Sequence, residues 1–414
     1  MVASRLKLKR NRMALTTCPV CSNSPTIPTV RREYIATMQN RVYNTRLEAH
    51  QASRGNLQLN ICAHCGFAYN ATFNETLLKY DSIYDNSVPS VVMTNYYKDI
   101  AAYLHEKYHV GNNLVIDIGC GKGMFLKVAA QLFPTMRGLG VDPSYESDRD
   151  ENPPSNLKFV PSIFSADQIT ECPALVVCRH VLEHIHQPVD FLKSIQLALA
   201  LFPGVPFFLE VPDLLWILNN RTFWDFCYEH CNYFTPESLS HTLSLSGFTP
   251  QLIQNAFGGQ YLWVEAINAP FAVHPNPVAP TTAAIATTVT ILSEYALLEA
   301  NQIASTRQLL LHLKQSGKAL AVWGMATKGI LLALLLDPQR TLLDFCIDMN
   351  SNKQGCFIPV TGHEIQAPET LSILTSTPLV IVVMNPNYLE EIRMYCRQKL
   401  NIEPQFIDAQ GRQL

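Results

Sequence analysis

"LVIDIGCGKG", Leu114 to Gly123, is the stretch that decides the fold. A short apolar run interrupted by one acid, Asp117, reads as a strand buried on both faces. Glycines then fall at 119, 121 and 123, and an amphipathic helical pattern, "MFLKVAAQLFP", follows. Strand, glycine turn and helix together let a ligand approach the backbone at the carboxyl edge of a parallel sheet. Alternating glycines alone are weak evidence, because dinucleotide-binding folds set a GxGxxG turn in the same place. Two details narrow the reading. The acid precedes the glycines, and a second strand pattern, "RGLGVDPS", ends at Asp142, where a carboxylate can accept hydrogen bonds from ribose hydroxyls.

Working outward, "LKFVPS", "ALVVCRH" and "VPFFLEVPD" add strand patterns alternating with helical ones, the mark of a parallel α/β sheet. A chain of 414 residues exceeds one ordinary core. Three blocks are expected: residues 14–75, a cysteine-bearing segment poor in long periodic patterns; 76–268, the α/β domain; and 285–414, which returns to α/β through "KALAVWGMATKG", "LLDFCIDMN" and "PLVIVVMNPN". A proline-rich linker, "NAPFAVHPNPVAPTTAAIATT", separates the last two. A net charge of −3 argues against a general nucleic-acid binder. No uninterrupted apolar run has the length of a membrane span, so no membrane partner is expected. The basic opening, "MVASRLKLKRNRM", lacks a signal-peptide core and reads as a tail, with Met13 an alternative start. The expected location is the cytoplasm.

In that reducing setting, Cys18-Pro-Val-Cys21 and Cys62-Ala-His-Cys65 read as metal knuckles rather than disulfides. Two CxxC pairs complete a four-sulfur shell with no open position, so a structural zinc is expected on Cys18, Cys21, Cys62 and Cys65. Such a module names no function by itself.

"DIGCGKG" resembles motif I of the class I methyltransferases, which tips the cofactor to S-adenosylmethionine, bound by Asp117, Gly119, Gly121, Gly123 and Asp142. "RHVLEH", Arg179 to His184, contains the H-x-x-E-H pattern of some zinc proteases, with His180 and His184 four apart as on one helix face. It directly follows a strand of the expected sheet, however, and a protease would leave the glycine turn unexplained. Arg179 and His180 are therefore expected to line the cofactor site.

With these motifs in place, the chain resembles the three-domain, S-adenosylmethionine-dependent C-methyltransferases that act on nucleotide-linked deoxysugars. The double CxxC, "DIGCGKG", "VDPS", "LEVPD" and the phrases of the third block carry the resemblance over nearly the whole chain. It implies an N-terminal zinc domain, a Rossmann-like class I core, a C-terminal α/β domain and a small-molecule acceptor, a nucleotide sugar. "YEHCNYFTPESL" looks like the family's E-H-x-x-Y-F/Y segment, which implies His230 as general base. The family's tyrosine-rich segment has Tyr80 and Tyr84 as counterparts.

Carbon methylation requires an enolate, hence a neutral imidazole base beside an α-C–H. Glu229 is expected to orient His230 or to bind substrate hydroxyls; Tyr84 and Tyr233 to donate to the enolate oxygen; Glu210 and Lys328 to contact the acceptor, Lys328 from a helix start suited to a diphosphate. The surrounding aromatics, Phe223, Trp224, Phe226 and Phe234, suit either a stacking wall or ordinary core, whereas Cys227 and Cys231 read as core. O- or C-methylation of another natural-product or polysaccharide precursor is the alternative, and an RNA-directed protein a more distant one.

Overall fold

The computed structural model describes residues 17–81, 83–146, 154–268, 279–374 and 377–414. The basic opening with Met13, and residues 269–278 of the proline-rich linker, lie outside the described residues. The chain first forms an antiparallel meander, β1 (Thr26–Ala36), β2 (Arg54–Cys62) and β3 (Ala68–Asn70), with the short helix α1 (Arg46–His50) between the first two strands. Thr45 and Glu48 start that helix with a reciprocal capping box. After it, α2 (Val91–Tyr108) leads into the central sheet, its N-terminus capped by Ser90.

Around β4 (Leu114–Ile118) the next elements are α3 (Met124–Leu132), β5 (Arg137–Val141), β6 (Leu157–Val160), β7 (Leu175–Arg179), α4 (Pro188–Ala198) and β8 (Pro206–Pro212). There follow α5 (Leu214–Asn220), β9 (Asn232–Tyr233), α6 (Pro236–Leu245), β10 (Phe248–Ala256) and β11 (Tyr261–Asn268). Seven of these strands form one sheet in the order β10-β11-β8-β7-β4-β5-β6. β4 to β8 run parallel, and the β10–β11 hairpin closes the edge against β8 in antiparallel sense. Helices cover both faces, so all five residues of β4 are buried, as its apolar run requires.

The strand β9 leaves this sheet. It pairs antiparallel with β3 and completes a four-stranded sheet, β1-β2-β3-β9, shared between the first two blocks.

The last block opens on α7 (Thr282–Gln315), which begins inside the stretch read as linker because Thr281 caps its first turn. By length and composition α7 could cross a membrane. Leu292, Tyr295, Glu299, Thr306 and Leu310 are nevertheless buried. Beyond it, β12 (Ala319–Trp323), α8 (Thr327–Leu336), β13 (Phe345–Ile347), β14 (Ile365–Gln366), β15 (Leu379–Val383), α9 (Leu389–Tyr395) and β16 (Gln405–Asp408) form a five-stranded parallel sheet, ordered β14-β13-β12-β15-β16. The turn after β12 holds Gly324 at φ +105°, and a Cβ on Gly329 would lie 2.2 Å from the Gly324 carbonyl oxygen, so glycine there lets α8 sit close on its strand.

One residue joins all three blocks. Arg32 of β1, 6% exposed, donates to the carbonyls of Phe226 (2.6 Å) and Phe223 (2.7 Å) and to the Glu299 carboxylate of α7.

Candidate active site

The glycine turn is built by its backbone. Gly119, Gly121 and Gly123 all take positive φ (75°, 55° and 78°), where side chains are strained. A Cβ on Gly119 would strike Val181 at 2.2 Å and one on Gly123 would strike Phe159 at 2.5 Å. Asp142, at the end of β5, accepts from the Gly121 N–H (2.9 Å) and from the Ser144 N–H (2.7 Å) and hydroxyl (2.6 Å), holding the turn against the next strand. Gly119, Gly121 and Asp117 line a cavity of about 350 Å³, within the size range of small-molecule sites, whereas Gly123 and Asp142, also expected at the cofactor site, are not on its wall. Burial, with the charge of Asp142 adding to it and that of Arg179 opposing, raises the Asp117 carboxyl to about 7.

The same cavity is lined from the acceptor side by His230, His184 and Tyr84, and from the third block by Trp323, Thr327 and Lys328. The carboxyl edges of both α/β sheets thus open onto one space. Burial, reinforced by the positive fields of His180 and Lys328, lowers His230 to about 3, so its imidazole is neutral near pH 7. Its ring lies edge-on to that of His184, with centroids 4.8 Å apart. His184 Nδ1 sits 3.1 Å from the Glu229 carbonyl and 3.0 Å from the Tyr80 hydroxyl.

Several expected roles change. Glu229 is wholly buried and does not orient His230; its carboxylate accepts from the Gln39 N–H (2.9 Å) and the Tyr84 hydroxyl (3.0 Å). The chain bends at Tyr228 and Glu229, before β9, and the adjacent pair separates there. Tyr233 is also withdrawn from the cavity: its hydroxyl donates to the Cys227 carbonyl and accepts from the Cys227 N–H, both at 3.1 Å. Glu210, at 0% exposure, does not reach the cavity. It accepts from the Tyr96 hydroxyl (2.6 Å), Arg179 (2.9 Å) and His180 Nε2 (2.6 Å). Burial opposes its charge, but Arg179 and His180 outweigh that and hold it at about 2. For His180 burial likewise opposes the charge, while Glu210 and Glu183 raise it to about 9. Arg179 and His180 do line the cavity, Arg179 stacked over Tyr97 (4.7 Å) and Phe125 (5.2 Å).

Tyr84 lines the cavity with its hydroxyl turned to Glu229. Lys328 lines it too, paired with Asp225 (3.0 Å) and Gln260 (3.1 Å) above the Trp216 ring. Phe223, Trp224, Phe226 and Phe234 are core, as are the free thiols Cys227 and Cys231. "RHVLEH" forms no α-helix: Leu182–His184 is a single tight turn after His180, whose φ of 55° breaks the helical path. Sequence reasoning missed Glu183, Asp225, Trp216 and Gln260 as cavity residues, since nothing local distinguishes them from core or loop.

Away from the cavity, Cys18, Cys21, Cys62 and Cys65 converge. Their sulfurs all lie within 4.8 Å of one another, with Cys18–Cys65 at 3.7 Å and Cys21–Cys62 at 3.6 Å. A tetrahedral zinc with bonds near 2.3 Å separates its sulfurs by about 3.8 Å, so the four cysteines fit the ion.

Residues 93–252 match the methyltransferase domain family, and residues 282–409 match the C-methyltransferase C-terminal domain. This is a methyltransferase with a C-methyltransferase C-terminal domain. The C-methyltransferase NovU of Streptomyces niveus is 27% identical over 316 residues, 72% of this chain and 71% of that protein. Among solved structures, the 1,6-didemethyltoxoflavin-N1-methyltransferase of Burkholderia thailandensis, with S-adenosylhomocysteine bound, is 20% identical, covering 42% of this chain and 78% of its own at a TM-score of 0.33. The magnesium protoporphyrin IX methyltransferase of Synechocystis is 17% identical, covering 45% and 90% at 0.33. The two family matches and the seven-stranded sheet make the chain an S-adenosylmethionine-dependent methyltransferase of the class I fold, with additional N- and C-terminal domains.

Proposed function

We propose that this methyltransferase C-methylates a nucleotide-linked keto-deoxysugar through an enolate. One observation carries the reading: a neutral imidazole, His230, shares a cavity with the acid-first glycine turn and with a lysine of the C-methyltransferase C-terminal domain. When bound, S-adenosylmethionine supplies an electrophilic methyl group on sulfur. Gly119, Gly121 and Asp117 would hold it at the cavity wall, Asp117 through its ammonium group, and Asp142, which stands behind the turn at Gly121, would reach its ribose. His230 removes the α-proton of the acceptor ketone; burial and two neighbouring cations keep its ring neutral before that step. Lys328 turns to the diphosphate, exchanging its bond to Asp225. The aromatic rings of Trp216 and Tyr261 exclude water from the reacting atoms. Zinc on the four cysteines fixes the sheet to which the His230 segment is paired and takes no part in the chemistry.

Methylation of an acceptor without phosphate is the second reading, favoured by Lys328 already having a carboxylate partner. The test is isotopic. With S-adenosylhomocysteine in place of the methyl donor, the enzyme exchanges the α-hydrogen of a nucleotide-linked keto-deoxysugar with deuterated solvent. His230→Ala stops the exchange, with a loss of roughly two to four orders of magnitude, while S-adenosylhomocysteine still binds. Exchange and methylation both surviving in that variant would remove His230 from the chemistry.

A further inference from the structure

His230 is an incomplete base. It has been stripped of favourable partners: burial, His180 and Lys328 all disfavour its protonated form. An imidazole in that state is a poor proton acceptor, since general-base efficiency depends on matching the base to its task. Some group must therefore balance the charge that appears on the ring once the α-proton arrives. Glu229, the adjacent acid, is committed to Gln39 and Tyr84.

Across the cavity wall stands a carboxylate with one oxygen uncommitted: Glu183 Oε1 faces His180 Nδ1 at 3.6 Å, and Oε2 is left over. Glu183 is 2% exposed, and its Oε2 is buried without a hydrogen-bond partner. A buried unpaired carboxylate oxygen is costly, and its retention calls for a partner that arrives during function. A Glu183 oxygen and one nitrogen each of His184 and His230 all lie within 4.8 Å of one another, and all three residues line the cavity. That span is closed by a small ring rotation or by one bridging water.

We propose that Glu183 is the positioning carboxylate of His230, accepting a hydrogen bond from its N–H when the ring becomes an imidazolium. The inference rests on His230 being the base. In the step it serves, the acceptor's α-C–H bond breaks, its proton passes to a His230 nitrogen and its electron pair to the enolate. The enolate carbon then takes the methyl group as the C–S pair departs on sulfur, and the imidazolium returns its proton to solvent. Glu183 touches neither substrate nor methyl group. It acts as the acid of a catalytic triad does, by stabilising the charged ring and fixing its orientation. The other titratable groups about His230 are His180, His184, Tyr233, Lys328 and, through Lys328, Asp225.

The experiment compares the wild type with Glu183→Gln, Glu183→Asp and His230→Ala, reading solvent-deuterium exchange of the keto acceptor with S-adenosylhomocysteine bound. Glu183→Gln should slow exchange by roughly a hundredfold or more. It should also move the acid limb of the rate profile to lower pH, because removing a nearby anion disfavours the imidazolium. A residue that merely packs would change the rate without moving that limb. Glu183→Asp keeps the charge and should recover most of the rate; an aspartate variant as slow as the amide overturns the inference. So does wild-type exchange in Glu183→Gln while His230→Ala is inactive. Exchange persisting in His230→Ala instead overturns the base assignment beneath it. Elemental analysis supplies the last arm: a second tightly bound divalent ion, lost in Glu183→Gln, would make the trio a metal site and end the proposal.

Discussion

Ala68 and Tyr233 face each other across the antiparallel pair that joins the first sheet to the acceptor segment. Ala68 lies three positions after Cys65, the last of the four clustered cysteines, and Tyr233 three positions after His230. The metal knuckle and the proposed base are therefore held by one short stretch of sheet.

Zinc removal is accordingly expected to affect chemistry as well as folding. One zinc per chain should be found by elemental analysis, and Cys62→Ser should lose it and melt at lower temperature, since binding of a structural zinc contributes directly to folding. Where the variant remains soluble, S-adenosylhomocysteine should still bind while α-hydrogen exchange is lost. Unchanged metal content and melting would contradict the assignment.

Asp142 accepts from the Gly121 N–H, and a ribose contact is its proposed second duty. Asp142→Ala should weaken S-adenosylhomocysteine binding by roughly tenfold to a hundredfold, or about 1.4–2.8 kcal/mol. Calorimetry reads this directly. Tight NADH binding, with no response to S-adenosylhomocysteine, would reverse the cofactor assignment.

Asp117 makes cofactor binding pH-dependent. Its carboxyl titrates near 7 in the free protein, raised by burial, so it is largely neutral at pH 6 and largely charged at pH 8. A ligand ammonium prefers the charged form. Affinity for S-adenosylhomocysteine should therefore rise with pH up to about 7 and then level, and Asp117→Asn should bind weakly with that rise removed. A pH-independent affinity in the wild type would show that the ligand does not meet this carboxylate.

Lys328 and Asp225 divide the acceptor readings. If the acceptor carries a diphosphate, Lys328→Ala should raise its KM by roughly tenfold, the scale of one charged hydrogen bond, with S-adenosylhomocysteine affinity unchanged. Asp225→Asn, which frees the lysine, should lower that KM. No change in either variant would favour an acceptor without phosphate.

The central sheet was legible because its strands are buried on both faces and read as apolar runs punctuated by glycine and acid, as in β4 and β5. The cysteine knuckles were legible because four sulfurs at that spacing have few other uses. What sequence could not show is how segments distant in the chain select partners. Glu229 precedes His230, yet its carboxylate turns to Gln39 at a bend in the chain, while Glu183, 47 positions before His230, stands beside the imidazole. Tyr233 resembled an enolate donor, but its hydroxyl closes a local loop on Cys227. Glu210 kept its place on the strand and lost its expected contact, because Arg179 and His180 are nearer than any substrate.

The junction at Arg32 sets how the molecule is assembled. Its guanidinium is supplied by the first block, two of its acceptors by the second and its only carboxylate by a residue 267 positions later. A chain interrupted after β11 would carry a cation sealed among carbonyls with no counter-charge, and leaving one partner of a buried pair alone costs about 3–5 kcal/mol. The domain boundaries visible in the sequence are therefore poor places to cut.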